Sequence, residues 1–215
     1  MEYLSITIKN LDKKRIKQIK LLFSSFESEF SRMYKSQIKF EGEESKKWAY
    51  FFICELSDNS DIDVLKSITS MTSDLKEYII RTELMELTPE SFLKKVPHKT
   101  GMTIIEHVNV QEEYLIEFQN IMINNNTPAM KYIIEKKDWC NEFIALETKN
   151  ILYHDATFKS WNQIHLVDMA AYGIFRYKKD FNEGLRLVDA PSFKTNFKNL
   201  SKIRKFTYKF KSKLI

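Results

Sequence analysis

Glycine and proline are scarce, with four of each in 215 residues. That leaves few positions for turns of special backbone conformation and little scope for disorder. Cysteine is scarcer still. Cys54 and Cys140 stand alone, without a CxxC pair or a histidine at metal-ligand spacing, which excludes a zinc knuckle and a disulfide framework and suggests buried thiols in a reducing compartment. The longest uninterrupted apolar run, Trp48 to Cys54, is far too short to cross a bilayer. Near the start, Lys9, Asp12, Lys13, Lys14, Arg15, Lys17 and Lys20 leave no room for the apolar stretch of a secretory leader, so the expected location is the cytoplasm. No Gly-rich phosphate loop, Walker sequence, HExxH, GxSxG or zinc-spaced Cys/His cluster occurs, which removes the enzyme classes those motifs mark.

Acids are missing from one place. From Ser192 onward there are eight cations (Lys194, Lys198, Lys202, Arg204, Lys205, Lys209, Lys211 and Lys213) and no acidic side chain, so a chain of net charge +5 is at −3 before that point. A basic tail of this kind can meet nucleic acid or an anionic surface. Its pattern has a plainer reading. Phe206, Tyr208, Phe210 and Leu214 alternate with Lys205, Thr207, Lys209, Lys211 and Lys213, as in a strand whose lysine face discourages pairing at a sheet edge. Lysines facing an internal anionic ligand remain a further reading.

What is present is core-forming material, 43% hydrophobic and 13% aromatic. Tyr3 to Ile8 alternates as a half-buried strand. Ile16, Ile19, Phe23, Phe26, Phe30 and Met33 recur as a helical stripe. Strands are expected at Gln37 to Phe40, Trp48 to Leu56 and Tyr78 to Leu87, with a helix through Val64, Leu65, Ile68 and Met71. Thr88-Pro89-Glu90 predicts a short helix to Val96, and Pro97 to Gly101 is the best linker.

The same order then repeats. Met102 to Val110 is a strand. Glu112 to Lys136 is an amphipathic helix expected to stop at Asn124-Asn125-Asn126 and restart at Thr127-Pro128. Strands follow at Phe143 to Tyr153 and Trp161 to Met169. A helix from Gly173 to Val188, with Phe175, Phe181, Leu185 and Val188 inward, precedes a short helix to Leu200 and the closing strand, Ile203 to Leu214.

The expected fold class is therefore α+β, two tandem ferredoxin-like βαββαβ units: residues 1–96, a linker 97–101, and residues 102–215. Both crossover helices of such a unit lie on one face of an antiparallel sheet. The bare faces should pack against each other within one chain as an intramolecular α/β barrel. This layout resembles the dimeric α/β-barrel superfamily, with its antibiotic-monooxygenase-like and EthD-like members. The best local match is Trp139-Cys140-Asn141-Glu142-Phe143-Ile144-Ala145-Leu146-Glu147 with Trp161-Asn162-Gln163-Ile164-His165-Leu166-Val167-Asp168, similar to that superfamily's second and third strands. The superfamily includes oxygenases, haem-degrading enzymes, isomerases and dehydratases, so the resemblance implies a cavity rather than one reaction.

The candidate catalytic residues are His107, His165 and Glu147. His107 shares a strand face with Thr103, Ile105 and Asn109, expected to line the space between the sheets. Ile104, Val108 and Val110 form the helix-covered set, with Glu106 as its exception. His165 falls with Trp161, Gln163, Val167 and Met169, and Glu147 with Phe143 and Ala145. Were the three to converge, a neutral histidine could take a proton with the carboxylate orienting it, or a facial triad could hold iron. A hydrogen-bonded core histidine is the bland alternative for each. Asn109, Tyr153, Trp161, Tyr172 and Arg176 are candidate substrate contacts; His154 and His98 are expected at the surface. The first unit has no histidine, so the cavity is expected in the second.

These features point to a cytoplasmic small-molecule enzyme acting on a mostly apolar, aromatic or polyketide-like compound. Histidine acid–base or oxygenase-type chemistry would proceed in a cavity between the sheets, with no cofactor required and haem or iron as the exception. A non-catalytic binder of a small ligand or haem is the second reading, and a basic nucleic-acid-associated protein the third. A monomer or homodimer satisfies each of them.

Overall fold

A computed structural model describes residues 2–9, 14, 17–18, 21, 32–38, 47–56, 76–89, 91–93 and 101–214. The helices expected around Phe23 and Leu65, and the linker residues 97–100, lie outside them. The chain forms two compact units. Unit 1 comprises Met1–Glu86, Thr148–Lys159 and Ser212–Ile215, and unit 2 comprises Leu87–Glu147 and Ser160–Lys211.

In unit 1, strand β1 (Glu2–Lys9) lies between β3 (Lys47–Leu56) and β4 (Ile79–Leu87), antiparallel to both. Strand β2 (Arg32–Ile38) pairs with β3. Met33 therefore belongs to a strand rather than to the helical stripe, and the strand expected at Gln37 to Phe40 begins earlier. β1 is buried on both faces, not one. Leu4, Ile6 and Ile8 fill one side. Across from Ser5 and Thr7 stand Glu83 and Arg81, whose side chains form a fully buried ion pair at 2.6 Å. Ser5 and Thr148 donate to the Glu83 carboxylate at 3.2 and 2.7 Å, and Arg81 donates to the Thr148 hydroxyl at 3.1 Å. Ser5 of β1 and Thr148 satisfy a charge pair that apolar side chains could not.

Unit 2 is built on β6 (Met102–Val110), β8 (Gln163–Met169) and β7 (Cys140–His154), with β9 (Arg204–Leu214) beside β6 and β5 (Phe92–Leu93) beside β7. β5 occupies part of the segment expected as a short helix. The Thr88 amide and hydroxyl both donate to the Ala145 carbonyl at 3.0 Å, and Phe92 pairs with Phe143. Bonding to β7 prevails over a one-turn helix. β9 is not an edge strand. It adjoins β6, and within unit 1 its last residues, Ser212 to Leu214, pair with β2. The edge reading of its lysines is thereby overturned.

One face of the unit 2 sheet is covered by helices α1 (Leu115–Ile121), α2 (Thr127–Lys136), α3 (Gly173–Leu187) and α4 (Phe193–Ile203). α1 does not stop before α2. A wide turn, Met122–Asn126, carries the helix through with helical backbone at Asn126. Widening the turn accommodates Pro128, which has no N–H to give. Phe118, Met122, Met130, Ile133, Trp139, Phe181 and Leu200 pack in this core. α3 meets α2 closely at Gly184, where a Cβ would lie 2.8 Å from the Ala129 Cα. Gly173 has Trp139 over it in the same way, and the Trp139 indole donates to the buried Asp180 carboxylate at 2.7 Å. On α3, Phe181 and Leu185 point inward as expected. Phe175, 89% exposed, and Val188 do not, because their positions fall on the helix's outer side. Ser192 caps α4, accepting from the Thr195 amide. Among the described residues, no helix is long and apolar enough to cross a membrane.

Candidate functional site

The cavity that this layering leaves in unit 2 has a volume of about 290 Å³ and lies on the helix-covered face of the sheet. β6 supplies Ile104 and Glu106, β7 Phe143, and β8 His165, Val167 and Met169. The helices and the wide turn supply Met122, Asn126, Met130, Tyr177, Phe181 and Phe197, and β9 supplies Arg204, Lys209 and Lys211. Three methionines and three phenylalanines make a soft apolar wall.

Register decides which histidine reaches it. β6 and β8 oppose Glu106 to His165 and His107 to Ile164. Opposed residues leave the same face, and neighbours along a strand leave opposite faces. His107 and His165 therefore do not converge, and the expected grouping of His107, His165 and Glu147 is corrected. Glu147 shares the His165 face, opposite Gln163 on β8, without lining the cavity. His107 is fully buried on the other face, edge-on to Trp161 at 4.4 Å and to Tyr208 at 6.1 Å. Trp161 is thus a core partner of His107. Asn109 is half-buried on the same strand. Tyr153, in unit 1, sits under the Lys76 ammonium at 5.5 Å. Tyr172 and Arg176 are exposed. His154 is half-buried at the end of β7, and His98 lies outside the described residues.

His165 is 2% exposed, stacked with Phe118 at 6.2 Å and edge-on to Phe143 at 5.9 Å. Burial, and then the positive charge of Arg204, pushes its pKa down to about 3, so the imidazole is neutral at pH 7. Its Nε2 lies 3.2 Å from the Gln163 side-chain oxygen. The Tyr177 phenol is pushed up by burial and by the Glu106 charge and stays protonated.

The charged groups form a graded set. Glu106 is paired with Lys209. Arg204, 7% exposed, is held by aromatic faces, 4.8 Å from the Phe206 ring and 5.9 Å from those of Phe118 and Phe197. Burial lowers its pKa, opposed by the charge of Glu106, and it stays a cation. No hydrogen bond or ion pair joins its guanidinium to another of the described residues. Beneath the cavity, Asn196 donates to the Asn126 side-chain oxygen at 2.6 Å, and Asn125 donates to Asn196 at 2.9 Å, fixing the wide turn.

Glu106, Asn126, Tyr177 and Arg204 are cavity residues that sequence reasoning missed, while Lys209 and Lys211 entered it only through the reading of lysines that face an internal ligand. The signal for the first was legible, an acid on an otherwise apolar strand face. Iron or haem would require a side chain free to ligate. Gln163 engages only Nε2 of the imidazole facing the cavity, and the Glu106 carboxylate is taken by Lys209, so a metal ion would find one imidazole nitrogen and no second ligand. Among the described residues, no group of three or more His, Cys, Asp or Glu is placed to hold a metal ion. The donor set does not fit a metal.

Comparison of the fold identifies its class. The chain has the ferredoxin-like α/β-barrel fold, shared with a proposed monooxygenase from Fusobacterium nucleatum (TM-score 0.58, 10% identity, 99% of this chain and 92% of that one). An anthrone oxidase-like protein is similar at TM-score 0.57 and 10% identity, over 100% of this chain and 90% of that one. Chlorite dismutase from Candidatus Nitrospira defluvii in complex with imidazole matches at TM-score 0.51 and 10% identity, over 99% and 91%. Likeness at these identities is a likeness of fold. No protein-family model and no curated protein matches the chain.

Proposed function

We propose that this chain is a small-molecule enzyme acting on a mostly apolar, aromatic or polyketide-like substrate by histidine acid–base chemistry of the oxygenase type. The reaction is placed in the unit 2 cavity, between sheet and helices. The observation that carries the reading is a neutral imidazole, His165, facing an apolar enclosure. In such a site an acidic CH₂ loses a proton to His165, and the carbanion reduces dioxygen, giving a carbonyl compound and water. Removal of a positioned base costs about 10²- to 10⁴-fold in rate. The neighbouring oxygenase-named folds support this class of chemistry. His107, packed against Trp161 and Tyr208, becomes a structural residue in this reading. We take the two units as ferredoxin-like halves fused in one cytoplasmic chain, monomeric or homodimeric.

Anthrone with an oxygen electrode is the test. Wild type should consume oxygen, and His165→Gln should lose at least about a hundredfold in kcat while binding anthrone within a few-fold of wild type. Oxygen uptake no faster than without protein would overturn the enzyme. A second reading, a non-catalytic binder, is favoured by the same depressed pKa, since a base at about 3 is weak. Anthrone binding without oxygen uptake would select it.

A further inference from the structure

The cavity holds three cations, Arg204, Lys209 and Lys211, against one carboxylate, Glu106, and Lys209 already takes Glu106. A buried guanidinium carries five N–H donors in a rigid fork. Leaving such donors and their charge unmatched in a low-dielectric pocket is costly, and aromatic faces satisfy only the charge above the plane of the ring. The donors in the guanidinium plane find no acceptor among the described residues. They require one from the cavity's contents. A carboxylate matches the fork with two parallel hydrogen bonds.

Resting on the reading that this cavity takes a small molecule, we propose that its occupant is an aryl or alkyl carboxylate. The acid group seats on Arg204, and the apolar remainder lies against Met122, Met130, Phe143 and Phe181. The carboxylate replaces the missing counter-charge. Groups facing it are Glu106, Tyr177, His165, Lys209 and Lys211. Of these, Glu106 repels it weakly because Lys209 is bound to Glu106.

Calorimetry with 2-naphthoate and its neutral isostere 2-naphthamide tests this at pH 7. Wild type should bind the carboxylate about tenfold to a hundredfold more tightly, as for a bidentate charge-assisted pair. Arg204→Gln should bring the ratio to about one, and Arg204→Lys, which keeps the charge but not the fork, should restore part of it. Equal binding of both ligands to wild type would overturn the carboxylate while leaving the cavity as a ligand site. Binding of neither would overturn both. A readout on unmodified protein guards against misfolded variants: saturation with naphthoate should raise the His165 pKa seen by NMR, because the carboxylate offsets Arg204. A His165 titration unmoved by bound naphthoate would place the acid group elsewhere and end the proposal.

Discussion

Lowering the pH from 7 to 4 perturbs unit 2 through His165. A histidine in an unfolded chain titrates near 6.5, whereas the folded imidazole, 2% exposed, is held to about 3 by burial and then by the Arg204 charge. Between those values the unfolded chain binds a proton that the native chain refuses. Stability is therefore insensitive to this residue above about pH 6.5 and falls below it by about 1.4 kcal/mol per pH unit. At pH 4 the loss amounts to about 3 kcal/mol, a large share of an ordinary domain's stability. Urea unfolding of wild type and His165→Gln at pH 7 and pH 4, at constant ionic strength, isolates the effect. The variant loses the stacking on Phe118 at every pH, so the comparison is the change with pH, which should be about 3 kcal/mol smaller in the variant. In parallel, imidazole NMR of wild type should show a neutral ring at pH 4. The same pH dependence in both proteins, or a His165 titrating near 6, would refute the argument that burial governs this site.

Three further outcomes follow from packing. Glu83→Gln leaves Arg81 buried beside a neutral partner and should destabilise the chain by about 3–5 kcal/mol in chemical denaturation; a loss under 1 kcal/mol would mean that Ser5 and Thr148 suffice. Gly184→Val places a branched side chain where even a Cβ lies 2.8 Å from the Ala129 Cα, and should cost about 1–3 kcal/mol by prising α2 from α3. Phe175→Ser, at a residue 89% exposed, should change the urea midpoint by no more than about 0.5 kcal/mol equivalent. A larger loss would indicate that this ring is covered in solution.

Much of unit 2 was legible because its elements are long and periodic. β6 occupies Met102 to Val110 as read, and the division of that strand into an Ile104/Val108/Val110 face under helices and an Ile105/His107 face away from them is what the fold displays. The error lay one strand further on. Alternation assigns His165 to a set but not to a side; only its register opposite Glu106 fixes the side, and register is a long-range property of two strands. The lysines of β9 failed for a related reason. Arg204 and Lys209 reach one cavity although strict alternation puts them on opposite faces, so a period-two reading cannot find the site. Pro128 misled differently: Thr127-Pro128 after three asparagines reads as an ordinary stop and restart, and long-range contacts, the bonds of Asn125 and Asn126 to Asn196 and the packing of α2 on α3, favour carrying the helix through.

That uninterrupted passage sets the phase of everything beyond it. In a regular helix each residue advances the side chains by about 100°, so the surplus in Met122–Asn126 aims Met130, Ile133 and Ile134 at the sheet. A regular α-helical path through all five residues would swing α2 by roughly one such step, turning those three outward and drawing Lys131 or Glu135 toward the methionine wall, whereas removing Asn124 would close the wide turn and keep α2 in phase. The hollow's dimensions are thus a matter of angular bookkeeping in five residues, and its oily lining depends on a count that no individual side chain records.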